Sequence, residues 1–446
     1  MGSFGRNWGR WVMGFELTPA HWHMTKLGEL GEVNRGRSRH RPRDASHLYG
    51  GPYPFIQTGD IKSSGGRITS FTQTYSEDGL AQSRLWPAQT MCITIAANIA
   101  ETALLSFPAC FPDSVVGFIA DENKCDVRFI EYVFRRLRQR IQSEATGSVQ
   151  DNINLQTLAR LSFAIPPLRE QVAIADALGA FDDRINLLRQ ANTTLEAVAQ
   201  ALFKSWFVDF DPVHAKAEGR EPEAMDTATA ALFPSEFEDS ELGPIPKGWR
   251  ARPLDSIADY LNGLALQKFP AESENEFLPV IKIAQLRAGN TTGSDRASAH
   301  LKPEYVVHDG DVLFSWSGSL EVEFWCGGGG ALNQHLFKVT SDEVPKWFYY
   351  LATRIHLPEF RRVAASKATT MGHIQRKHLA QAKVAVPPRE VLAATTKIIE
   401  PLLDRRITNS LQMRELSQLR DTLLPRLISG KLRLPKVTEA VEAALA

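Results

Sequence analysis

Beyond Pro167 the apolar residues form a stripe. Leu168, Val172, Ala175, Leu178, Phe181, Ile185, Leu188, Asn192, Leu195, Ala199, Leu202 and Trp206 follow one another at steps of three and four. That spacing keeps them on one side of an α-helix and predicts about 40 helical residues, ~60 Å at 1.5 Å per residue, with one narrow seam. Asn192 is the polar member and can fix the register of a partner helix. After Pro388 a less regular stripe carries Val391, Ile398, Leu402, Ile407, Leu411, Leu416, Leu419, Leu423 and Leu427. Pro401 lies inside it and predicts a break or kink, because an interior proline costs ~3 kcal/mol. Two single-seam helices in one chain most simply bury their seams against each other. Separate surface helices, each on its own globule, are the plainer alternative, but ~60 Å exceeds the width of a domain of about 140 residues.

Ahead of each double proline lies a segment rich in β-branched and aromatic residues, with strand-like runs at Thr90–Ile95 and Val312–Trp316 and short helices expected at Val127–Ile141 and Trp347–Ala364. These segments read as compact globules of α/β type, mixed in helix and strand. They are also copies. Leu158 to Leu168 reads LARLSFAIPPL and Leu379 to Arg389 reads LAQAKVAVPPR, 221 residues later, and Asp183-Arg184 returns as Asp404-Arg405 at the same offset. Tyr53–Gln57 (YPFIQ) is echoed by Leu278–Lys282 (LPVIK). So many ordered matches indicate a tandem duplication. The plan is globule 1–166, long helix 167–209, acidic connector 210–245, globule 246–387, long helix 388–434 and tail 435–446. Asp209–Glu241, with ten acidic and two basic residues, reads for most of its length as a solvated linker.

The 446 residues carry 51 basic and 51 acidic side chains. A zero balance counts against a uniformly basic nucleic-acid binder, but it conceals an uneven distribution. Residues 1–166 carry net +3, 167–245 net −9, 246–387 net +3 and 388–446 net +3. The globules are mildly basic and the connector cancels them, which permits DNA binding. Four cysteines without CxxC spacing fit a reducing compartment, and the longest apolar run is too short for a membrane helix, so a cytoplasmic location is expected.

The text around the helices resembles the specificity subunit of type I restriction-modification systems, the HsdS family. The resemblance rests on IPPLREQVAIADALGAFDDRI at Ile165–Ile185, KSWFVDFDPVHAKAEGR at Lys204–Arg220, LFPSEFEDSELGPIPKGW at Leu232–Trp249 and RDTLLPRLISGKLRL at Arg420–Leu434. It implies two target recognition domains, each reading one half of a bipartite, asymmetric DNA site. It also implies an antiparallel coiled coil of the two long helices as spacer, with seam residues Val172, Phe181, Ile185, Leu188, Leu195 and Leu202 on one side and Ile398, Leu402, Leu411, Leu419 and Leu423 on the other. Two adenine-N6 methyltransferase subunits and restriction-translocase subunits are the implied partners. S-adenosylmethionine, ATP and Mg²⁺ would reside on those partners, and this chain would have neither a cofactor nor a catalytic residue of its own.

Residues suited to DNA can be named. Arg35, Arg37, Arg39, Arg41 and Arg43 alternate along the chain, which would put all five on one side of an extended segment, within reach of phosphates. Arg135 and Arg136 lie on the helix expected near Val127–Ile141, and Arg361 and Arg362 on its counterpart. Gln57 and Lys282 occupy equivalent places after a strand-like run and can each bond a base edge. Lys62 joins this set, as do the polar loops with Ser148, Gln150 and Asn152 and with Lys367, Thr369 and Thr370. A solvated loop or helix face is the competing reading for each.

Rival functions leave fainter marks. A methyltransferase acting alone would carry an Asn/Asp-Pro-Pro-aromatic motif, whereas these double prolines are Ile-Pro-Pro-Leu and Val-Pro-Pro-Arg, and no GxxxxGK[ST] loop is present. Pro112-Asp113 followed by Glu122-Asn123-Lys124 matches the permissive pattern of Mg²⁺-dependent PD-ExK nucleases. A scaffold that binds only proteins is the third reading.

Overall fold

The computed structural model describes residues 19–96, 98–146, 155–366 and 372–432. The chain divides into two compact units, one built from residues up to Arg184 together with those from Leu416 onward, the other from Ile185–Glu415. Four helices organise them: α1 (Val127–Thr146), α2 (Leu168–Phe207), α3 (Lys346–Ile355) and α4 (Arg389–Ile428).

In the first unit a five-stranded sheet runs in the order Gly31–Arg35, Val115–Ala120, Met91–Thr94, Thr102–Leu105, Arg67–Ile68, antiparallel except for the last pair. Its central strands are buried on both faces, which is why they read as continuous apolar runs. Trp86 stacks on Phe111 at 4.7 Å between centroids and fills one side of the core. α1 buries Phe129, Ile130, Val133 and Phe134. The second unit repeats the theme with two four-stranded sheets, one wholly antiparallel around Val312–Ser315, the other pairing Leu278–Ile281 with Gly330–Leu332 in parallel. The single helix expected at Trp347–Ala364 is two, α3 and Leu357–Ser366, meeting at His356.

The duplication survives in three dimensions. His23–Lys26 pairs antiparallel with Ser162–Ile165, and Arg250–Pro253 pairs antiparallel with Lys383–Val386. The closing strands begin 221 residues apart, at 162 and 383, as do α2 and α4, at 168 and 389. Both long helices have 40 residues.

Of the seam residues on α2, Phe181, Ile185 and Leu188 are buried and Val172, Leu195 and Leu202 half-buried. On α4 the expected seam is displaced. Leu419 is 44% exposed, and Ile398, Leu402, Leu411 and Leu423 are only half-buried, while Leu392, Thr395, Ile399, Leu403 and Asn409 face inward together with the expected Val391, Leu416 and Leu427. Thr395 and Asn409 occupy seam positions, so following leucines alone leads onto the neighbouring stripe. In the second unit the two helices run antiparallel: Asn409 donates to Asn192 Oδ1 at 2.9 Å, Asn192 donates to the Arg406 carbonyl at 3.1 Å and to Ser410 Oγ at 3.0 Å, and Glu196 pairs with Arg406.

Two further expectations need correction. α4 continues through Pro401 without interruption. Pro401 and Lys397, whose carbonyl loses its partner there, both face solvent, so water can satisfy the orphaned oxygen while Ile399 and Leu403 hold the helix down from the other side. The acidic connector is also not a solvated linker. It folds into helices Asp211–Ala217 and Thr227–Leu232 and a hairpin, Phe237–Ser240 with Gly243–Pro246. Val213 and Phe233 are buried beside Trp206 and Trp249, with Phe210 and Phe237 packed against them. A few apolar anchors suffice, and the acids stay on the outside.

Candidate nucleic-acid interface

The arginine run begins where the edge strand Gly31–Arg35 leaves the sheet. Gly36 N–H donates to the Val115 carbonyl at 2.9 Å and Arg37 N–H to the Phe111 carbonyl at 3.1 Å, so the backbone stays pinned and extended. Alternation then buries Gly36 and Ser38 and exposes Arg35, Arg37 and Arg39. Gly36 is required, because a Cβ there would lie 2.3 Å from the Pro112 carbonyl oxygen and 2.4 Å from that of Phe111. Among the described residues no ion pair engages Arg35, Arg37 or Arg39, which leaves three cations facing water. The alternation ends there. Arg41 turns back to the carbonyls of Ser38 and His40 at 2.7 and 2.8 Å, and Arg43 makes a two-pronged pair with Asp113 at 2.9 Å. Five aligned arginines are therefore three, with two spent on shaping the loop.

Gln57 and Lys282 do occupy equivalent places, each the residue before a short helix (Thr58–Ser63 and Ile283–Ala288) that follows a strand. In both, the side chain three residues on, Asp60 or Gln285, accepts from the capping residue's own N–H. Gln57 is exposed and its amide donates to Gln73 Oε1 at 2.6 Å, while Lys282 is paired with Asp295. Lys62 donates to Asn98 Oδ1 at 3.0 Å. Arg361 is half exposed and donates to the Leu320 carbonyl at 2.9 Å, and Arg362 is 79% exposed with Glu359 at 3.6 Å, a solvated pair of small worth. Ser148, Gln150, Asn152, Lys367, Thr369 and Thr370 lie outside the described residues.

Arg135 and Arg136 belong to the scaffold. Arg135 bonds Glu131 at 2.7 Å and Asp182 at 3.1 Å, with 15% of its side chain exposed, and Arg136 donates to the Pro425 carbonyl of α4 at 3.0 Å. Asp182 of α2 also accepts from Tyr132 Oη at 2.7 Å and from Arg420 of α4 at 2.5 Å. Burial pushes the Asp182 carboxyl up, but Arg135 and Arg420, helped by Tyr132, hold it below the usual carboxylate range. Burial instead carries Glu131 upward despite Arg135 and Thr102. The second unit has a counterpart cluster: Glu196 of α2 accepts from Tyr350 Oη and Arg354 of α3, both at 3.0 Å, and meets Arg406 of α4 at 3.1 Å, while Glu323 bridges the two arginines. The visible signal for these clusters is an acid beside each apolar seam residue, Asp182 after Phe181 and Glu196 after Leu195.

An aromatic surface on the second globule has no forerunner among the residues singled out by pattern. Trp316 follows the strand Val312–Ser315, half-buried, with its ring beside His335 at 5.7 Å and His373 at 6.2 Å, and its indole N–H donates to Asn262 Oδ1 at 3.0 Å. Ser317 Oγ lies 3.1 Å from His335 Nδ1. The equivalent strand in the first globule, Met91–Thr94, is followed instead by Ile95, which is buried. Equivalent places thus present different chemistry, an aromatic polar cluster in one globule and an aliphatic residue in the other.

Two of the three charged groups of the nuclease-like pattern are otherwise engaged, Asp113 with Arg43 and Lys124 with Asp121 at 3.2 Å. Among the described residues no group of three or more His, Cys, Asp or Glu side chains is arranged to hold a metal, and no helix is long and apolar enough to cross a membrane.

Comparison with known proteins agrees with this architecture. The specificity subunit of the type I restriction enzyme MjaIX from Methanocaldococcus jannaschii is 25% identical over 96% of this chain and 98% of its own length. That of the HindI enzyme from Haemophilus influenzae is 25% identical over 65% of this chain and 73% of its own. The crystal structure of a type I restriction-modification S subunit from M. genitalium shares the fold, with a TM-score of 0.54 at 16% identity, covering 91% of this chain and 96% of that one. The family model described as the type I restriction modification DNA specificity domain matches twice, over residues 19–197 and 246–415, and by that match over most of its length the chain belongs to the DNA specificity family of type I restriction-modification systems.

Proposed function

We propose that this chain reads an interrupted, asymmetric duplex target, one half-site per globule, and positions two adenine-N6 methyltransferase subunits and the restriction-translocase subunits on it. The reading is carried by one observation. Two globules of one plan differ at equivalent positions, exposed Gln57 against ion-paired Lys282 and buried Ile95 against half-buried Trp316, and each adjoins one of two 40-residue helices that pair through their seams. Different readers on a fixed separator yield two different half-sites at a fixed gap, whereas a flexible linker would leave the gap undefined. Arg35, Arg37 and Arg39 supply phosphate contacts that position the duplex, and Gln57, Lys282 and Trp316 are placed for base edges and stacking. Recognition is this chain's contribution. The methyl donor, ATP and Mg²⁺ belong to the partner subunits, and the complex works in the cytoplasm.

The test is to express the chain with a cognate methyltransferase and map methylated adenines genome-wide. An interrupted motif with a constant gap is expected, and lengthening α2 and α4 by one turn each should change the gap while both half-sites stay the same. A continuous target, or a gap indifferent to helix length, would sink the proposal.

A further inference from the structure

The long helices are copies of each other by sequence, yet their buried charges are segregated. α2 carries two acids in the seam, Asp182 and Glu196, and α4 carries two arginines, Arg420 and Arg406. In the first unit Asp182 pairs with Arg420, and in the second Glu196 pairs with Arg406. All four are largely withdrawn from water, with 12%, 10%, 18% and 17% of their side chains exposed. The offset of 221 tells what each would meet in a like-with-like pair of the same register. An α2 paired with a second α2 would set Ala199 in the place of Arg420 and Ile185 in the place of Arg406. An α4 paired with a second α4 would set Leu403 in the place of Asp182 and Ser417 in the place of Glu196.

Every like pair thus strips the buried charges of their partner across the seam, and a buried charge that loses its partner is strongly penalised. Asn192 reinforces the selection. It meets Asn409 and Ser410 on α4, whereas in a like α2 pair the corresponding places hold Leu188 and Arg189. We infer that the seam is a charge-coded lock in which α2 accepts α4 and rejects another α2. A second copy of this chain can consequently associate through these helices by reciprocal exchange, α2 of each copy with α4 of the other, and not by self-pairing. Selection of partners by placing unpaired charges in the wrong complex is how discrimination between similar helices is achieved.

The lock can be tested on the full-length chain with two complementary variants. One, R406E/R420E, makes both helices acidic, and the other, D182R/E196R, makes both basic. Each alone is expected to lose the compact single-chain state, seen as a lower Tm and a shift away from the one-chain mass by light scattering. Co-expressed with different affinity tags, the two should recover as a 1:1 species of two-chain mass that carries both tags and melts above either variant alone, though below wild type because Arg135 and Arg354 then face the introduced arginines. Two differently tagged copies of the same variant should yield no such species. The inference is overturned if either variant stays a single chain with an unchanged Tm. It is equally overturned if co-expression of the two gives no mixed species, including the case in which both misfold and neither rescues the other.

Discussion

Asp182→Ala removes the acid on which three donors converge. In the intact chain its carboxylate, 12% exposed, takes hydrogen bonds from Tyr132 at 2.7 Å, Arg135 at 3.1 Å and Arg420 at 2.5 Å. Removing one partner of a buried ion pair costs about 3–5 kcal/mol because the opposite charge is left stranded. Here the loss falls at the low end, ~3 kcal/mol, since Arg135 keeps Glu131 at 2.7 Å and Arg420 keeps Asp421 at 2.8 Å. Urea unfolding followed by fluorescence measures the change, and hydrogen exchange should place the loosening in α1 and in the α4 segment after Leu416. The pH dependence supplies an independent check. The folded carboxyl lies below its unfolded value, so its contribution is complete above the ordinary aspartate range and is lost as pH falls through the folded value. The variant should therefore differ most from wild type near neutrality and converge with it in acid. A loss below ~1 kcal/mol, the worth of an exposed pair, would refute the reasoning.

Replacing Arg35, Arg37 and Arg39 together with alanine should flatten the dependence of DNA affinity on salt by up to about 2.7 in log–log slope, about 0.9 for each phosphate no longer neutralised; an unchanged slope in a titration series would remove the run from the interface. Arg41→Ala should leave that slope alone and loosen the loop. Gly36→Ala should displace the run, because its Cβ would overlap the Pro112 and Phe111 carbonyls, lowering both Tm and affinity. Asn192→Leu strands Asn409 and should cost ~1–3 kcal/mol, while Asn192→Leu with Asn409→Leu should regain most of it in a double-mutant cycle. Trp316→Ala should relax base preference in one half-site of the methylation map and leave the other unchanged.

Much of this architecture is legible in the sequence because its signals are local. Pro167 and Pro388 stand immediately before Leu168 and Arg389, where α2 and α4 begin, so the helix starts can be read directly. The failures have a common origin in partners contributed by distant segments. Leu419 looks like seam because it is leucine, but Asn409 turns inward because Asn192 of α2 accepts its hydrogen bond, and Thr395 can be buried because its hydroxyl is satisfied by the Val391 carbonyl. Pro401 reads as a break when its cost is counted without the burial of Ile399 and Leu403 on the other face. The connector's composition averages away Val213 and Phe233, the residues that anchor it. A helical wheel gives Arg135 only Glu131, four residues back, because its second acid, Asp182, lies 47 residues away.

The paired entrance and exit strands of each globule have a consequence for how such proteins diversify. His23–Lys26 lies beside Ser162–Ile165, and Arg250–Pro253 beside Lys383–Val386, so each globule leaves and rejoins the chain at one seamed doorway, with facing residues about 5 Å apart. Everything between the two doorposts is a cassette. A foreign domain that supplies the same two closing strands, and a helix whose tyrosine and arginine reach the buried acid of α2 as Tyr132 and Arg135 reach Asp182, can be recombined into the gene without moving the helices that follow, and the chain acquires a new target.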